Sequence, residues 1–245
     1  STPKTELPVL RIYMTDGAIN RLKKKRRIAL SKNPGILISS EDDWVEGKLI
    51  ADDGKKQKIA EAKFRLKGDW TDHITDPKKL SFRIKILNGQ TVFGMSKFSI
   101  QDPPTRYNEK EALALDMHRL IGVMSPRYFF VDVKVNAQSV GIMALEEHFT
   151  KEMVESQNRR EGPIVAVDED WYWRQWERYG ISDALVLGLK DYPIKVFRPG
   201  QYTRKEPKTA LNIRASAMLR DVIDGTIPGD KVFDIDLVNR WWIMT

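Results

Sequence analysis

Short runs in which apolar and polar residues alternate are frequent in the N-terminal part of the chain. The clearest run covers residues 80–86, where every second residue is apolar and Ser81, Arg83 and Lys85 occupy the positions between. Successive side chains of a strand point to opposite faces, so the apolar residues are predicted to face a core and the three polar residues the other side. Another strand is predicted at residues 9–13.

Two turn signals predict β-hairpins. Asp52-Asp53-Gly54 interrupts one apolar pattern, and an Asp-Gly pair readily adopts the positive φ angles that tight turns require. Asn136-Ala137-Gln138 interrupts another. The strands of these hairpins, and one further short strand, are predicted at residues 44–51, 58–66, 97–100, 128–135 and 140–145.

Helical periodicity appears early in the chain and again towards its end. Helix formers, capping residues and a following Gly or Pro mark the limits of several helices. The first is predicted to begin near Thr15 or Asp16, and the others cover residues 108–121, 209–224 and 234–244, with residues 147–156 as the beginning of a further helix. Residues 183–189 form a weaker element, and residues 193–207 are predicted to be a basic loop.

This order of elements predicts an α+β fold in two parts. Residues 1–147 are predicted to form a sheet-rich domain with one embedded helix. Residues 148–245 are predicted to form an incomplete helical domain. Internal repeats and low-complexity segments are absent from the sequence, so the chain is expected to be an ordinary globular protein.

The charge of the chain favours an anionic partner. It has 41 Lys and Arg residues against 34 Asp and Glu residues, a net charge of +7, and its pI is about 9.4. The densest basic block, residues 23–27, contains no aromatic residue and is interpreted as a solvated helix face, so binding to DNA is not expected. No apolar run is long enough to span a membrane.

The sequence excludes several kinds of active site. It has no Cys and only three His residues, which are scattered, so thiolate chemistry is excluded and a His-based metal site is disfavoured. The glycine-rich phosphate-binding motifs and the Gly-x-Ser-x-Gly nucleophile motif are also missing from it. Acyl transfer is therefore disfavoured, and any metal is expected to be bound by carboxylates.

A set of motifs in a fixed order carries a family resemblance. They are Arg65-Leu66-Lys67-Gly68, the run at residues 77–86, the helical segment 110–116 with Gly122 and Pro126 after it, the segment 133–136, and the segment 141–147. Together they resemble the spore-coat protein H (CotH) kinase-like family over about two thirds of the chain. The specificity of the resemblance lies in the order and spacing of the motifs.

The resemblance implies a protein-kinase-like fold that binds ATP with Mg²⁺ between two lobes. Lys67, Arg83 and Lys85 would then line the nucleotide cleft, Lys85 or Arg83 would contact a phosphate group, and Glu147 would end the strand beside the adenine. Glu111 would hold one of the cations by an ion pair. Helical geometry leaves Glu109 as the alternative, because these two residues lie about 200° apart around the helix and only one can point inward.

The implied function is phosphorylation of Ser or Thr residues in a surface or coat protein, in an extracytoplasmic bacterial setting. The segment Lys67-Gly68-Asp69-Trp70 departs from the family pattern of Arg-Gly-x-Ser, Ala137 stands where the family has Gly, and Met143 stands where it has Tyr. In the family, the metal-binding acids follow a helix similar to residues 234–244. The chain is therefore expected to be truncated before them, and catalytic and metal-binding residues are not assigned.

Two alternatives to an active kinase remain. The first is an inactive family member that acts as an extracytoplasmic scaffold or as a module that binds a polyanion or a glycan. The second is a glycan-active enzyme, since Asp168-Glu169-Asp170 stands beside Trp171, Tyr172 and Trp173. The simpler interpretation of those acids is a solvated turn. For Lys85 and Glu111, too, an ordinary surface role is as well supported by the sequence.

Overall fold

The structure is a computed structural model that describes residues 6–32, 35–180, 188–197 and 206–244. These residues form nine strands and six helices. The strands are β1 Val9–Met14, β2 Val45–Asp52, β3 Gln57–Leu66, β4 Phe82–Ile86, β5 Lys97–Gln101, β6 Tyr128–Val135, β7 Gln138–Glu147, β8 Val165–Val167 and β9 Ile194–Val196. The helices are α1 Asp16–Leu30, α2 Glu109–Leu120, α3 Lys151–Ser156, α4 Glu169–Tyr179, α5 Glu206–Ile223 and α6 Ile235–Met244.

The chain divides into two compact units. The first combines Ser1–Asp116 with Ser125–His148, and the second combines Met117–Met124 with Phe149–Thr245. The α+β class is confirmed, whereas the kinase-like lobes and the domain limits at residues 147 and 148 stay predictions. Among the described residues, no helix has both the length and the apolar character that crossing a membrane requires.

Seven strands of the first unit close into a barrel in the order β1-β2-β3-β4-β5-β7-β6. Neighbouring strands are antiparallel, except that β1 and β6 are parallel. The alternation at residues 80–86 places Phe82, Ile84 and Ile86 inside the barrel and Arg83 and Lys85 outside, as predicted. Side chains fill the interior, so the outer face is the surface that carries polar chemistry.

The predicted hairpin turn at Asn136 joins β6 to β7 and helps to close the barrel. The side-chain oxygen of Asn136 accepts a hydrogen bond from the Met14 backbone nitrogen at 2.9 Å, and its amide nitrogen donates to the Met14 carbonyl at 2.8 Å. Asn136 and Ala137 have φ angles of 46° and 66°. Two successive positive φ angles define the type I′ turn, for which Asn-Gly is the preferred pair.

Replacing Ala137 with Gly should stabilise the protein, because Gly relieves the steric cost of a left-handed conformation. Gly also loses more chain entropy on folding, which reduces the expected net gain to about 0.5–1 kcal/mol. Urea unfolding measures the change. Ala166→Gly, in strand β8, is the control and should destabilise, since extended backbone imposes no such cost on Ala. Equal destabilisation by both substitutions would contradict the expected relief of strain.

Most predicted helices form, and one predicted boundary is wrong. Helix α1 begins at Asp16, and its N-cap Thr15 accepts a hydrogen bond from the Ala18 backbone nitrogen through the side-chain oxygen. Glu147 is the last residue of β7 and does not begin a helix; helix α3 starts only at Lys151. Because the backbone of β7 pairs with β5 and β6 up to its last residues, the strand continues beyond the end of its apolar segment.

Two further predictions in the second unit need correction. Asp168-Glu169-Asp170 is not a solvated turn, because Asp168 is the N-cap of α4 and the other two residues lie in its first turn. Acidic side chains are favourable there because of the helix dipole. The predicted loop at 193–207 contains strand β9, and residues 183–187 of the predicted weak element lie outside the described residues.

Candidate functional site

A buried lysine lies on the outer face of the barrel, immediately after β3. The Lys67 side chain is only 6% exposed, and its Nζ donates hydrogen bonds to Glu146 Oε2 at 2.5 Å and to Gln101 Oε1 at 2.6 Å. Gln101 Nε2 also donates to Glu146 Oε2, at 3.2 Å. The three side chains therefore form one network, which orients the ammonium group and compensates its charge.

Strand alternation brings this network together. On β5, Phe98 and Ile100 face the interior, so Gln101 faces outward. On β7, Leu145 faces the interior and Glu146 faces outward, opposite Ser99. The position of each polar residue thus follows from the burial of its apolar neighbour.

Charge and burial compete at the Lys67–Glu146 pair. Burial raises the pKa of Glu146, but Lys67, through its charge and its hydrogen bond, together with Arg106 and Arg83, lowers this pKa below its usual value. Burial lowers the pKa of Lys67 more than Glu146 raises it. Both shifts favour an ionised carboxylate beside a lysine that loses its proton more readily than an exposed lysine does.

Gly68 and His73 support the segment next to Lys67. Gly68 has a φ of +109°, and a Cβ at this position would lie 2.5 Å from His73 Cδ2 and 2.6 Å from His73 Cβ. The His73 ring is buried, with Nδ1 3.1 Å from Ser81 Oγ, and its burial lowers the His73 pKa to about 4. The turn after β3 therefore packs on a neutral imidazole ring and requires Gly.

Two rows of cations cross the outer face beside this network. Cross-strand pairing aligns Lys63 with Lys85 and Lys85 with Lys97 in one row, and Arg65 with Arg83 in the next. Like charges directly opposite one another on neighbouring strands are destabilising. Part of the charge is compensated, since Lys63 pairs with Glu46 at 3.3 Å.

Arg65 also has neighbours that fix its position. Its guanidinium lies 4.8 Å from the centre of the Trp44 ring, and its Nη1 donates to the Ser40 carbonyl at 3.3 Å. The ring and the carbonyl hold this cation on the outer face without neutralising its charge.

The structure brings three of the five predicted site residues to one face of the barrel. Lys67 and Arg83 are close enough for their charges to interact, and Lys85 lies two residues further along β4 than Arg83. Lys67 is buried, Arg83 is half-buried and Lys85 is exposed. Whether these residues bind a nucleotide stays a prediction.

The other two predicted residues have different surroundings. Glu111 is half-buried and acts electrostatically on Tyr128, whereas Glu109 is exposed. The ion pair of Glu111 with Arg83 or Lys85 stays a prediction. The carboxylate that binds the site lysine Lys67 is Glu146. Sequence reasoning followed the helix and missed this residue because its partner, Lys67, lies far away along the chain.

Glu147 is fully buried and bound by Arg127. Its Oε2 accepts hydrogen bonds from Arg127 Nε at 2.8 Å and from the Arg127 backbone nitrogen, and its Oε1 accepts from Nη2 at 2.5 Å. Arg127 also donates to the carbonyls of Phe93 and Gly94. In the structure, Glu147 therefore joins the end of β7 to the turn at residues 92–95, and its contact with adenine stays a prediction.

Sequence reasoning missed several residues of the outer face. They are Arg65, Lys97, Gln101, Tyr128 and Glu146. Alternation would have identified Glu146, because only one of the two adjacent acids at the end of β7 can face outward. Tyr128 lies opposite Glu146, and burial raises its pKa to about 12.

In the ranges that the structure describes, no group of three or more His, Asp or Glu side chains is arranged to hold a metal ion. The chemistry on the outer face is that of a cationic surface with one oriented lysine. Such a surface is suited to binding and positioning an anion, which is the main contribution that proteins make to phosphoryl transfer.

Comparison with known families agrees with these observations. No curated protein matches the sequence. The family model described as CotH kinase protein matches residues 64–243, which include Lys67, Glu146 and the strands β4 and β5. The match covers well over half of the chain and begins within β3. The chain therefore belongs to the CotH kinase protein family.

Proposed function

We propose that the chain binds ATP on the outer face of its barrel, as part of a phosphoryl-transfer protein. The observation that carries the proposal is the network of Lys67, Gln101 and Glu146, in which a buried lysine is held by a carboxylate at 2.5 Å. Protein kinases orient a phosphate-binding lysine in the same way, through an ion pair with a glutamate. Arg83 and Lys85 lie on the same face and would bind further phosphate oxygens.

The residues present fit the phosphate part of ATP. Arg83 and Lys85 are cations on one strand, and a triphosphate offers acceptors to both. Magnesium would neutralise phosphate charge when bound with the nucleotide, and we assign no residue to it. Transfer to Ser or Thr of a surface or coat protein, and an extracytoplasmic location, belong to the same proposal and rest on the family resemblance.

Titration of the 245-residue chain with ATP and Mg²⁺ tests the proposal. Binding should be measurable by calorimetry and should raise the melting temperature by mass action. Lys67→Met and Lys85→Met should each weaken binding about tenfold or more, because each removes a charged hydrogen-bond donor. Lys85 is exposed, so its variant reports on binding even if the Lys67 variant is unstable.

Lys48→Met is the matched control, since Lys48 is an exposed lysine on β2. It removes the same charge and should leave ATP affinity within about twofold, as expected of a surface substitution away from the site. Equal affinity of the Lys48 and Lys85 variants would count against the site. Incorporation of labelled phosphate into an acceptor protein then separates an active kinase from a protein that only binds the nucleotide.

A second candidate is a module that binds a polyanion without catalysis. The aligned cations Lys63, Lys85 and Lys97 favour it, because a row of positive charge suits an extended anion. In that case heparin should bind the chain with a steep salt dependence, and ATP should compete only weakly. Phosphate incorporation by the chain would exclude this candidate.

A further inference from the structure

Lys97 lies among cations without a bonded partner of its own. The register places it directly opposite Lys85, and Arg83 lies opposite Ser99, two residues further along β5. Arg83, Arg65 and Lys85 all repel its charge, while Glu41 attracts it. Its amine makes no hydrogen bond or ion pair with the described part of the chain, although the residue is half-buried.

This arrangement costs stability in the free protein. Opposed like charges on neighbouring strands are unfavourable, and burial adds a desolvation cost. A multiply charged anion removes both costs together, because it places negative charge between the rows and supplies acceptors for the amine. The rows therefore have the character of a binding site and not of an ordinary solvated face.

We propose that Lys97, together with Arg65, Arg83 and Lys85, forms a binding site for a chain of phosphate groups. This deepens the proposed function by adding Arg65 and Lys97 to the residues that hold the phosphates. Arg65 is already oriented by Trp44 and by the Ser40 carbonyl, so little of its freedom is lost on binding.

The site takes up a proton when the anion binds. Burial, and then the charges of Arg83, Arg65 and Lys85, lower the pKa of Lys97 to about 7, so much of this amine is neutral at pH 8. A bound phosphate chain favours the charged amine and raises this pKa. Binding at pH 8 should therefore add up to about one proton to Lys97, whereas binding at pH 6 should add almost none.

Calorimetric titration of the 245-residue chain with inorganic tripolyphosphate tests this proposal. Titrations at pH 8 in two buffers of different ionisation enthalpy give the number of protons taken up. Lys97→Met should lower affinity about tenfold and remove the uptake, through loss of one charged hydrogen-bond donor. Lys97→Arg should keep the affinity but remove the uptake, because Arg stays charged at every pH used.

Lys58→Met is the matched control, because Lys58 is an exposed lysine of β3 outside the cation rows. Its proton uptake should equal that of the wild type, and its affinity should change by less than about twofold. The anion's own titration is common to all variants, so differences between them isolate Lys97. Absence of tripolyphosphate binding, or identical behaviour of the Lys97→Met and Lys58→Met variants, would overturn the proposal.

The probe contains no nucleoside, which keeps this test separate from that of ATP binding. Tripolyphosphate binding that depends on Lys97 supports the phosphate site even if ATP does not bind. Displacement of tripolyphosphate by ATP assigns the site to the phosphates of the nucleotide. Binding that ATP does not displace supports the same site with a free polyphosphate as its ligand.

Discussion

Replacing Lys67 with Met should destabilise the protein by about 2–4 kcal/mol, because the substitution leaves the Glu146 carboxylate without its ion pair in a largely buried position. Glu146→Gln should also destabilise, since it removes the charge that holds Lys67. The double variant should cost clearly less than the sum of the two single variants. Urea unfolding at pH 7 measures all three.

Lys63→Met provides the matched control for this comparison of the single and double variants. Lys63 also pairs with a glutamate, Glu46, at 3.3 Å, but the two side chains are 38% and 75% exposed. Exposed pairs contribute little, so this variant should change stability by less than about 1 kcal/mol. Strict additivity of the Lys67 and Glu146 substitutions would show that the two side chains do not stabilise one another.

Gly68→Ala should destabilise the protein by about 2–4 kcal/mol. Its φ of +109° is strained for any L residue, and the added Cβ would meet the ring and Cβ of His73 at 2.5–2.7 Å. Relief of that overlap should displace the His73 ring, whose Nδ1 lies 3.1 Å from Ser81 Oγ, so the ring signals of His73 should shift in NMR spectra. Chemical denaturation gives the energetic cost.

Gly89→Ala separates the strain of the backbone from the overlap. Gly89 also has a positive φ, +67°, but nothing lies within 4 Å of the position its Cβ would take. Its cost should be about 1–2 kcal/mol, from the left-handed conformation alone. If the two alanine variants are equally stable and His73 is undisturbed, the packing of Gly68 on His73 has no energetic importance.

The local parts of the fold were predictable because their signals are local. Period-two alternation identified β4, and Asp53-Gly54 identified the hairpin of β2 and β3. The closure of the sheet was not predictable in this way, because the parallel pairing of β1 with β6 joins segments that are distant in the sequence. No spacing or turn motif encodes such a contact.

The candidate site likewise contains residues that the sequence could predict and residues that it could not. The cations of β4 were identified from their polar positions in an alternating strand, and Lys67 from its motif. The partners of Lys67 were not identified from the sequence, because Gln101 and Glu146 come close to Lys67 only through the order of β5 and β7 in the barrel. The low pKa of Lys97 likewise depends on pairings across three strands, which the sequence of any one strand does not show.

The order of the barrel strands also determines when the barrel can form during synthesis. The hairpin of β6 and β7 fills the gap between β5 and β1. The hydrogen bond from the Met14 backbone nitrogen to Asn136 joins two residues that lie 122 positions apart in the sequence. A nascent chain that ends before this hairpin therefore has two open strand edges, which are templates for pairing with other chains. Closure of so long a loop is generally slow, so we expect the unfinished barrel to be prone to aggregation until β6 and β7 have been synthesised.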